Sequence, residues 1–247
     1  MSFLSGIFKK SANTALLPSP LLVDMHSHLI PGIDDGVDDF EESVAIVKGL
    51  KDIGYKKLIT TPHIMSDFYR NEPEVILEGR DKLRAILKER EIDIEIEAAA
   101  EYYLDDHFEN MLSKKNLLTF GDNYVLVETS YLNAPSNFIE LIFNAKIAGY
   151  KPILAHPERY IFLYDDFGKY EELYGRDILF QLNLASLVGY YSKEAKKIAE
   201  NLLKNNMVNF IGTDIHHIRH LDSLIASTQT PAFQAATGMK LLNNTLL

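Results

Sequence analysis

The chain has 247 residues, 47% apolar and 24% charged, which is ample for a large core and leaves no low-complexity tract. Its formal net charge of −10 argues against a broad nucleic-acid-binding face, which needs surplus Lys and Arg. It contains no cysteine, so disulfides, iron–sulfur clusters, thiolate zinc sites and cysteine nucleophiles are all excluded.

In chain order, the opening "MSFLSGIFKK" places its lysines after a short apolar run and does not read as a signal peptide. Residues 1–20 are expected to form a loosely ordered arm and residues 21–247 one domain. Phe3, Leu4, Ile7 and Phe8 leave a weak membrane or partner contact open. No stretch approaches the length of a membrane span, so no stable insertion is expected and the location reads as cytoplasmic.

From Leu21 onward a unit repeats: an apolar run rich in β-branched residues, a few polar residues, then an amphipathic helix. The seven runs are "LLVDMHSH" (21–28), "KKLITTPH" (56–63), "DIEIEAAAEYY" (93–103), "NYVLVETS" (123–130), "KPILAHPER" (151–159), "LFQLNLAS" (179–186) and "VNFIGTDIHH" (208–217). Among the intervening helices, "FEESVAIVKGLKDIG" carries Val44, Ile46, Val47 and Leu50 at helical spacing and stops at Gly54. "PEVILEGRDKLRAILKER" opens on Pro73, and "PSNFIELIFNAKIAGY" opens at Pro135 and closes on Gly149.

Alternating strands and helices predict parallel strands with right-handed crossovers, as a closed barrel or an open doubly wound sheet. The polar run ends favour the barrel, whose functional groups converge from the carboxyl ends of many strands. Six of the seven runs end in a potential metal ligand: His26 and His28, His63, Glu101, Glu128, His156, then Asp214 and His216. The sixth run offers only Asn183. No Gly-rich phosphate loop follows any run, so a nucleotide-binding fold lacks support.

With Asp34 and Asp35, this set exceeds what one ion needs and suits two or three divalent cations sharing carboxylates. Mixed histidine and carboxylate donors without sulfur fit manganese, zinc or iron, with manganese preferred. Such a cluster activates water for hydrolysis and clamps phosphoryl oxygens. Guanidinium groups orient phosphate; Arg159 in "HPER" is the first candidate and Arg219 in "HHIRH" the second. Asp24 reads as an orienter of a ligand histidine, and Glu41 and Glu42 as partners of a helix dipole. His217 reads as supporting, and His107 and His220 as surface residues. Tyr102, Tyr103, Tyr160, Phe162 and Tyr164 line a cleft or pack its rim.

The motifs "DMHSH", "TTPH", "AAEYY", "VLVETS", "AHPERY" and "GTDIHH", in this order, resemble the PHP (polymerase and histidinol phosphatase) metal-dependent phosphoesterases. Within that superfamily the chain most resembles the bacterial tyrosine-protein phosphatases encoded with capsular and exopolysaccharide genes. The resemblance covers roughly residues 21–217. It implies a distorted seven-stranded (β/α)7 barrel of PHP type holding three divalent ions, commonly manganese, that hydrolyses phosphotyrosine. By position it implies that His26, His28 and Asp214 bind one ion, which Glu101 bridges to a second ion completed by Glu128 and His156. Asp35, His63 and His216 would hold the third, with Asp34 a less certain member. Arg159 matches a phosphate-contacting arginine, and Arg219 is the nearest match to another, at shorter spacing. Asp35, His63, Arg159 and Arg219 are thus the catalytic candidates. "LLNNTLL" resembles a tail helix. The implied substrate is the tyrosine-rich tail of a bacterial tyrosine kinase. Alternatives are a PHP enzyme acting on a small phosphate monoester such as histidinol phosphate, in a deep closed pocket, and an inactive regulatory module.

Overall fold

Two of the seven apolar runs break in the middle, and the breaks shape the sheet. The structure is a computed structural model and describes residues 21–247. The arm expected at 1–20, with its apolar contact, lies outside the described residues. The strands are β1 (Val23–Asp24), β2 (Lys57–Thr60), β3 (His63–Ile64), β4 (Glu95–Ala98), β5 (Glu101–Tyr103), β6 (Tyr124–Glu128), β7 (Lys151–Ala155), β8 (Leu179–Asn183) and β9 (Phe210–Gly212). The second run splits around Thr61 and Pro62, and proline has no N–H for a ladder. The third splits around Ala99 and Ala100.

All strand pairs are parallel, in the order β1-β2-β4 in a three-stranded sheet and β3-β5-β6-β7-β8-β9 in a six-stranded one. The seven runs give an α/β fold with parallel sheets of three and six strands, the second and third runs each supplying one strand to both sheets. The two sheets are joined at both margins. At one the chain itself runs from β2 into β3 and from β4 into β5, and Ala99 donates to Thr60 at 2.9 Å and Glu101 to Pro62 at 3.1 Å across the breaks. At the other, Asp214 donates to His26 at 2.8 Å and His28 to Ile215 at 3.0 Å.

Parallel neighbours need crossovers, and helices supply them: α1 (Phe40–Asp52), α2 (Pro73–Glu89), α3 (Asp106–Ser113), α4 (Phe138–Ile147), α5 (Phe167–Gly175) and α6 (Lys193–Lys204). α7 (Leu221–Thr228) and α8 (Pro231–Thr237) follow the last strand. Ends obey local rules: Asp39, Asp105 and Ser192 accept the N–H three residues on, and Pro73 opens α2. α1 buries Val44, Ile46, Val47 and Leu50 as its spacing predicts. α4 starts at Phe138, three residues after the expected proline, and the expected tail helix is one 3-10 turn, Asn243–Leu246.

The core has two parts. The larger packs helices on the outer faces of the strands and includes Val125, Val127, Leu154, Phe180, Leu182 and Ile211. The smaller gathers the alternate residues Val23, Met25, Ile59, Leu126, Ile153, Ala155 and Phe210 with Phe120 and Leu246. Because strand side chains alternate, the next positions on that inner face are Glu128 on β6, Gln181 and Asn183 on β8, and Asp214 after β9. The inner face therefore changes from apolar to polar toward the carboxyl ends.

Candidate metal centre

At those carboxyl ends three groups of donors converge, each with ligand atoms within 4.8 Å of one another: His26, His28, Glu101 and Asp214; His28, Asp35, His63 and His216; and His63, Glu101 and Glu128. His156 joins through Nε2, 3.0 Å from Glu101 and 3.8 Å from Glu128. The nine residues read as ligands thus meet in one place, with His28, His63 and Glu101 each shared between groups. His156 and Asp214 adopt positive φ, +35° and +51°, which non-glycine residues rarely take and which here turns both side chains inward as their strands end. Two glycines permit the close approach. A Cβ on Gly36 would lie 2.6 Å from the His28 carbonyl, and one on Gly212 2.7 Å from the His26 Cβ.

Hydrogen bonds decide which ring nitrogens face the cluster. Asp214 Oδ2 can only accept, so Asn183 turns its amide nitrogen to it at 2.6 Å. Asn183 Oδ1 then accepts from Gln181 Nε2 at 2.8 Å, which leaves Gln181 Oε1 to accept from His26 Nδ1 at 2.8 Å. Asp34 accepts from His28 Nδ1 at 2.8 Å, and the Asp214 carbonyl accepts from His216 Nδ1 at 2.9 Å. Each of these rings therefore holds its proton on Nδ1 and aims a lone pair on Nε2 at the cluster. The His26 and His28 Nε2 atoms are only 3.3 Å apart, a distance that requires a cation or an added proton between them.

Electrostatics repeat the point. Burial opposes charge on these rings, yet Glu101 and Asp214 raise the His26 pKa, Asp34 raises His28, and Glu101 with Glu128 push His63 up to about 9. Burial also opposes ionisation of Glu101 and Asp214, and the histidines, His26 foremost, overcome it and hold both carboxyls well below their usual range. Asp214 Oδ1 is buried without a hydrogen-bond partner, and His63 Nδ1 lies 3.0 Å from Glu128 without hydrogen-bonding geometry. Orphaned oxygen, convergent lone pairs and a surplus of carboxylate fit divalent cations.

Arg159 Nη1 donates to Asp214 Oδ2 at 3.0 Å, and the rings of Tyr131 and Tyr191 lie 4.4 and 4.1 Å from its guanidinium. Arg219 lies on a cleft of about 190 Å³ with Asp35, Arg159, Tyr191, Asp214, His216, His217 and His220. It forms no salt bridge among the described residues.

Several sequence expectations are corrected. Asp24 does not orient a histidine: it accepts from the Thr213 N–H at 2.9 Å and hydroxyl at 2.7 Å, while Gln181 orients His26. His220 is in the cleft wall, where its Nδ1 accepts from the His216 N–H at 3.3 Å. Glu42 accepts from the Ile218 N–H at 2.9 Å and so anchors the last loop to α1. His107 is in none of the donor groups. Tyr102 and Tyr160 are buried core residues, while the tyrosines at Arg159 are Tyr131 and Tyr191. Gln181, Tyr131 and Tyr191 escaped sequence reasoning; the inward period of β8 pointed to Gln181, whereas no local signal marked the tyrosines.

Fold and site together define a parallel α/β protein with a multidentate histidine and carboxylate centre at the strand ends. The model for the capsular polysaccharide synthesis family CpsB/CapC matches residues 22–230, and this chain belongs to that family. It is 28% identical over 199 residues to the tyrosine-protein phosphatase YwqE of Bacillus subtilis, covering 80% of this chain and 78% of the relative. It is 29% identical over 204 residues to the tyrosine-protein phosphatase CpsB of Streptococcus pneumoniae, covering 80% and 84%. A chain from the crystal structures of YwqE and CpsB, described as unique metal-dependent tyrosine phosphatases, superposes with a TM-score of 0.79 at 25% identity, covering 91% of this chain and 94% of that one.

Proposed function

We propose that the protein is a metal-dependent protein-tyrosine phosphatase, a phosphoric monoester hydrolase serving capsular or exopolysaccharide synthesis. The observation that carries this reading is the set of three overlapping donor groups at one mouth of the fold, in a chain whose relatives are named tyrosine-protein phosphatases. The finer ligand assignment is three divalent ions, manganese first with zinc or iron as substitutes. His26, His28, Asp214 and Glu101 would hold one, Glu101, Glu128 and His156 a second, and Asp35, His63 and His216 the third. Bound ions supply a water activated at neutral pH and a clamp on phosphoryl oxygens.

The chain's own residues do the rest. Gln181, Asp34 and the Asp214 carbonyl hold histidine lone pairs inward. Arg159, held by two tyrosine rings and Asp214, presents its remaining N–H groups to phosphate. Arg219, exposed on the same cleft, is the second phosphate contact. The small cleft, bordered by the exposed Asp35 and Arg219, suits a phosphate carried on a protein side chain better than an enclosed metabolite. The tail of a bacterial tyrosine kinase is the proposed substrate, in the cytoplasm, and residues 21–247 the proposed catalytic unit. Among the described residues no helix is long and apolar enough to cross a membrane. Chain continuity at one sheet margin and hydrogen bonding at the other support reading the fold as a distorted seven-stranded barrel.

The test is hydrolysis of a phosphotyrosine peptide and of histidinol phosphate before and after chelation. Peptide turnover should be the faster, vanish with chelator and return with Mn²⁺. Arg159→Ala should lower kcat/KM on the peptide by about a hundred-fold, the scale of a lost charged hydrogen bond, with His107→Ala near parent activity. Faster turnover of histidinol phosphate would shift the substrate class; absence of both activities with Mn²⁺ present would refute the enzyme.

A further inference from the structure

Ten large apolar side chains are strongly exposed among the described residues, and five of them, Phe68, Leu132, Ile161, Tyr190 and Ile218, stand on segments that follow strand carboxyl ends. Each is tied to the candidate site by a neighbour. Phe68 precedes Tyr69, whose ring stacks on His63 with 5.6 Å between centroids. Leu132 follows Tyr131, which covers Arg159, and Ile161 donates its N–H to the Tyr131 carbonyl at 2.8 Å. Tyr190 precedes Tyr191 at the same guanidinium, and Ile218 follows His217 in the cleft wall. Single exposed apolar residues are ordinary, but several gathered on one mouth mark an interaction surface.

We propose that these five side chains form a rim that binds the polypeptide on either side of the phosphorylated tyrosine and selects apolar, uncharged neighbours. This rests on the phosphatase reading above. The cleft, about 190 Å³, has room for a phosphorylated side chain and little more, so the chain that carries it lies across the rim. Charge sets the preference. The same loops expose Asp67, Asp165 and Asp166, and the loop after β1 exposes Asp35, on a chain of net charge −10, so acidic flanks are repelled. The exposed cations of these loops, Arg70 and Arg219, are fewer than the acids, and Arg219 faces the cleft.

The experiment compares the full chain with Phe68→Ser and Leu132→Ser on three substrates: p-nitrophenyl phosphate and two phosphotyrosine peptides of equal length, flanked by Leu and Val or by Glu. The parent should show kcat/KM about ten-fold higher on the apolar peptide, and each variant should lose about five-fold on that peptide, the scale of one partly buried side chain. Turnover of p-nitrophenyl phosphate should stay within about two-fold of parent, since a small ester does not reach the rim. Equal kcat/KM on the two peptides, or variants matching parent on the apolar one, overturns the rim. Variants that alter only the sedimentation of the protein assign the surface to a second copy and overturn it too. Failure to hydrolyse all three substrates removes the phosphatase reading and this inference with it.

Discussion

His26 owes its direction to a side chain that carries no charge. Gln181 accepts its Nδ1 proton, and the amide of Gln181 is itself oriented by Asn183 and, beyond it, by Asp214. A ring held this way presents Nε2 without having to rotate or change tautomer. In the proposed metal-bound enzyme, Gln181→Ala should weaken cation affinity by about ten- to a hundred-fold, whereas Gln181→Glu, which keeps the acceptor, should lose less. Titration of chelator-treated protein with Mn²⁺ measures both, and equal affinities for all three proteins would strike Gln181 from the site. His28 and Asp34 form the analogous pair: the first of the two adjacent aspartates buttresses a ring and the second, Asp35, faces the cluster.

Among the elements, β1 and the segment after β9 matter most, because they join the first run to the last. β1 is only Val23–Asp24, so side chains supplement its short ladder. Asp24 holds both polar hydrogens of Thr213, 189 residues away in sequence. Burial raises the Asp24 pKa to about 6, restrained by the Thr213 hydrogen bonds, against an unfolded value near 4. Between about pH 4 and pH 6 the folded chain therefore keeps a proton that the unfolded chain has released. The group's contribution to stability is greatest below that window and falls as pH rises through it, by up to about 3 kcal/mol. Asp24→Asn removes the titration. In urea unfolding from pH 4.5 to pH 7, parent stability relative to the variant should decline with rising pH. A constant difference would show that Asp24 ionises at its ordinary value. Glu158 joins elements in the same manner, accepting from the Asn183 N–H at 2.9 Å and the Ser186 hydroxyl at 2.7 Å to lock the "HPER" turn onto β8.

For the molecule as a whole, the inner face stores like charge at one end. Glu101, Glu128 and Asp214 are all nearly or fully buried, and outside a metal complex their neutralisation relies on protonated histidines and Arg159. A cation that binds only the folded chain stabilises it by mass action, about 4 kcal/mol at a thousand times its dissociation constant. For a chain of this size that is a rise in Tm of about 10 °C. Thermal unfolding of chelator-treated protein with and without Mn²⁺ reads this directly, and His216→Ala should shrink the rise. A Tm indifferent to Mn²⁺ would mean that the donors do not act as a metal cage.

The sequence by itself determined the alternation of strand and helix, the caps of the helices and the placement of polar residues at run ends. These depend on spacing along a few residues: a period of two puts Leu126 and Glu128 on one face, Pro73 opens α2, and Gly54 and Gly149 follow the ends of α1 and α4. Only the tertiary structure decided that Thr61–Pro62 and Ala99–Ala100 interrupt two runs and divide the strands into sheets of three and six. It also decided that Tyr131 and Tyr191 cover Arg159, that Asp24 serves Thr213 rather than His26, and that His220 enters the cleft. Each of these depends on which distant segment lies opposite, a matter settled by packing across the whole chain, on which local periodicity is silent.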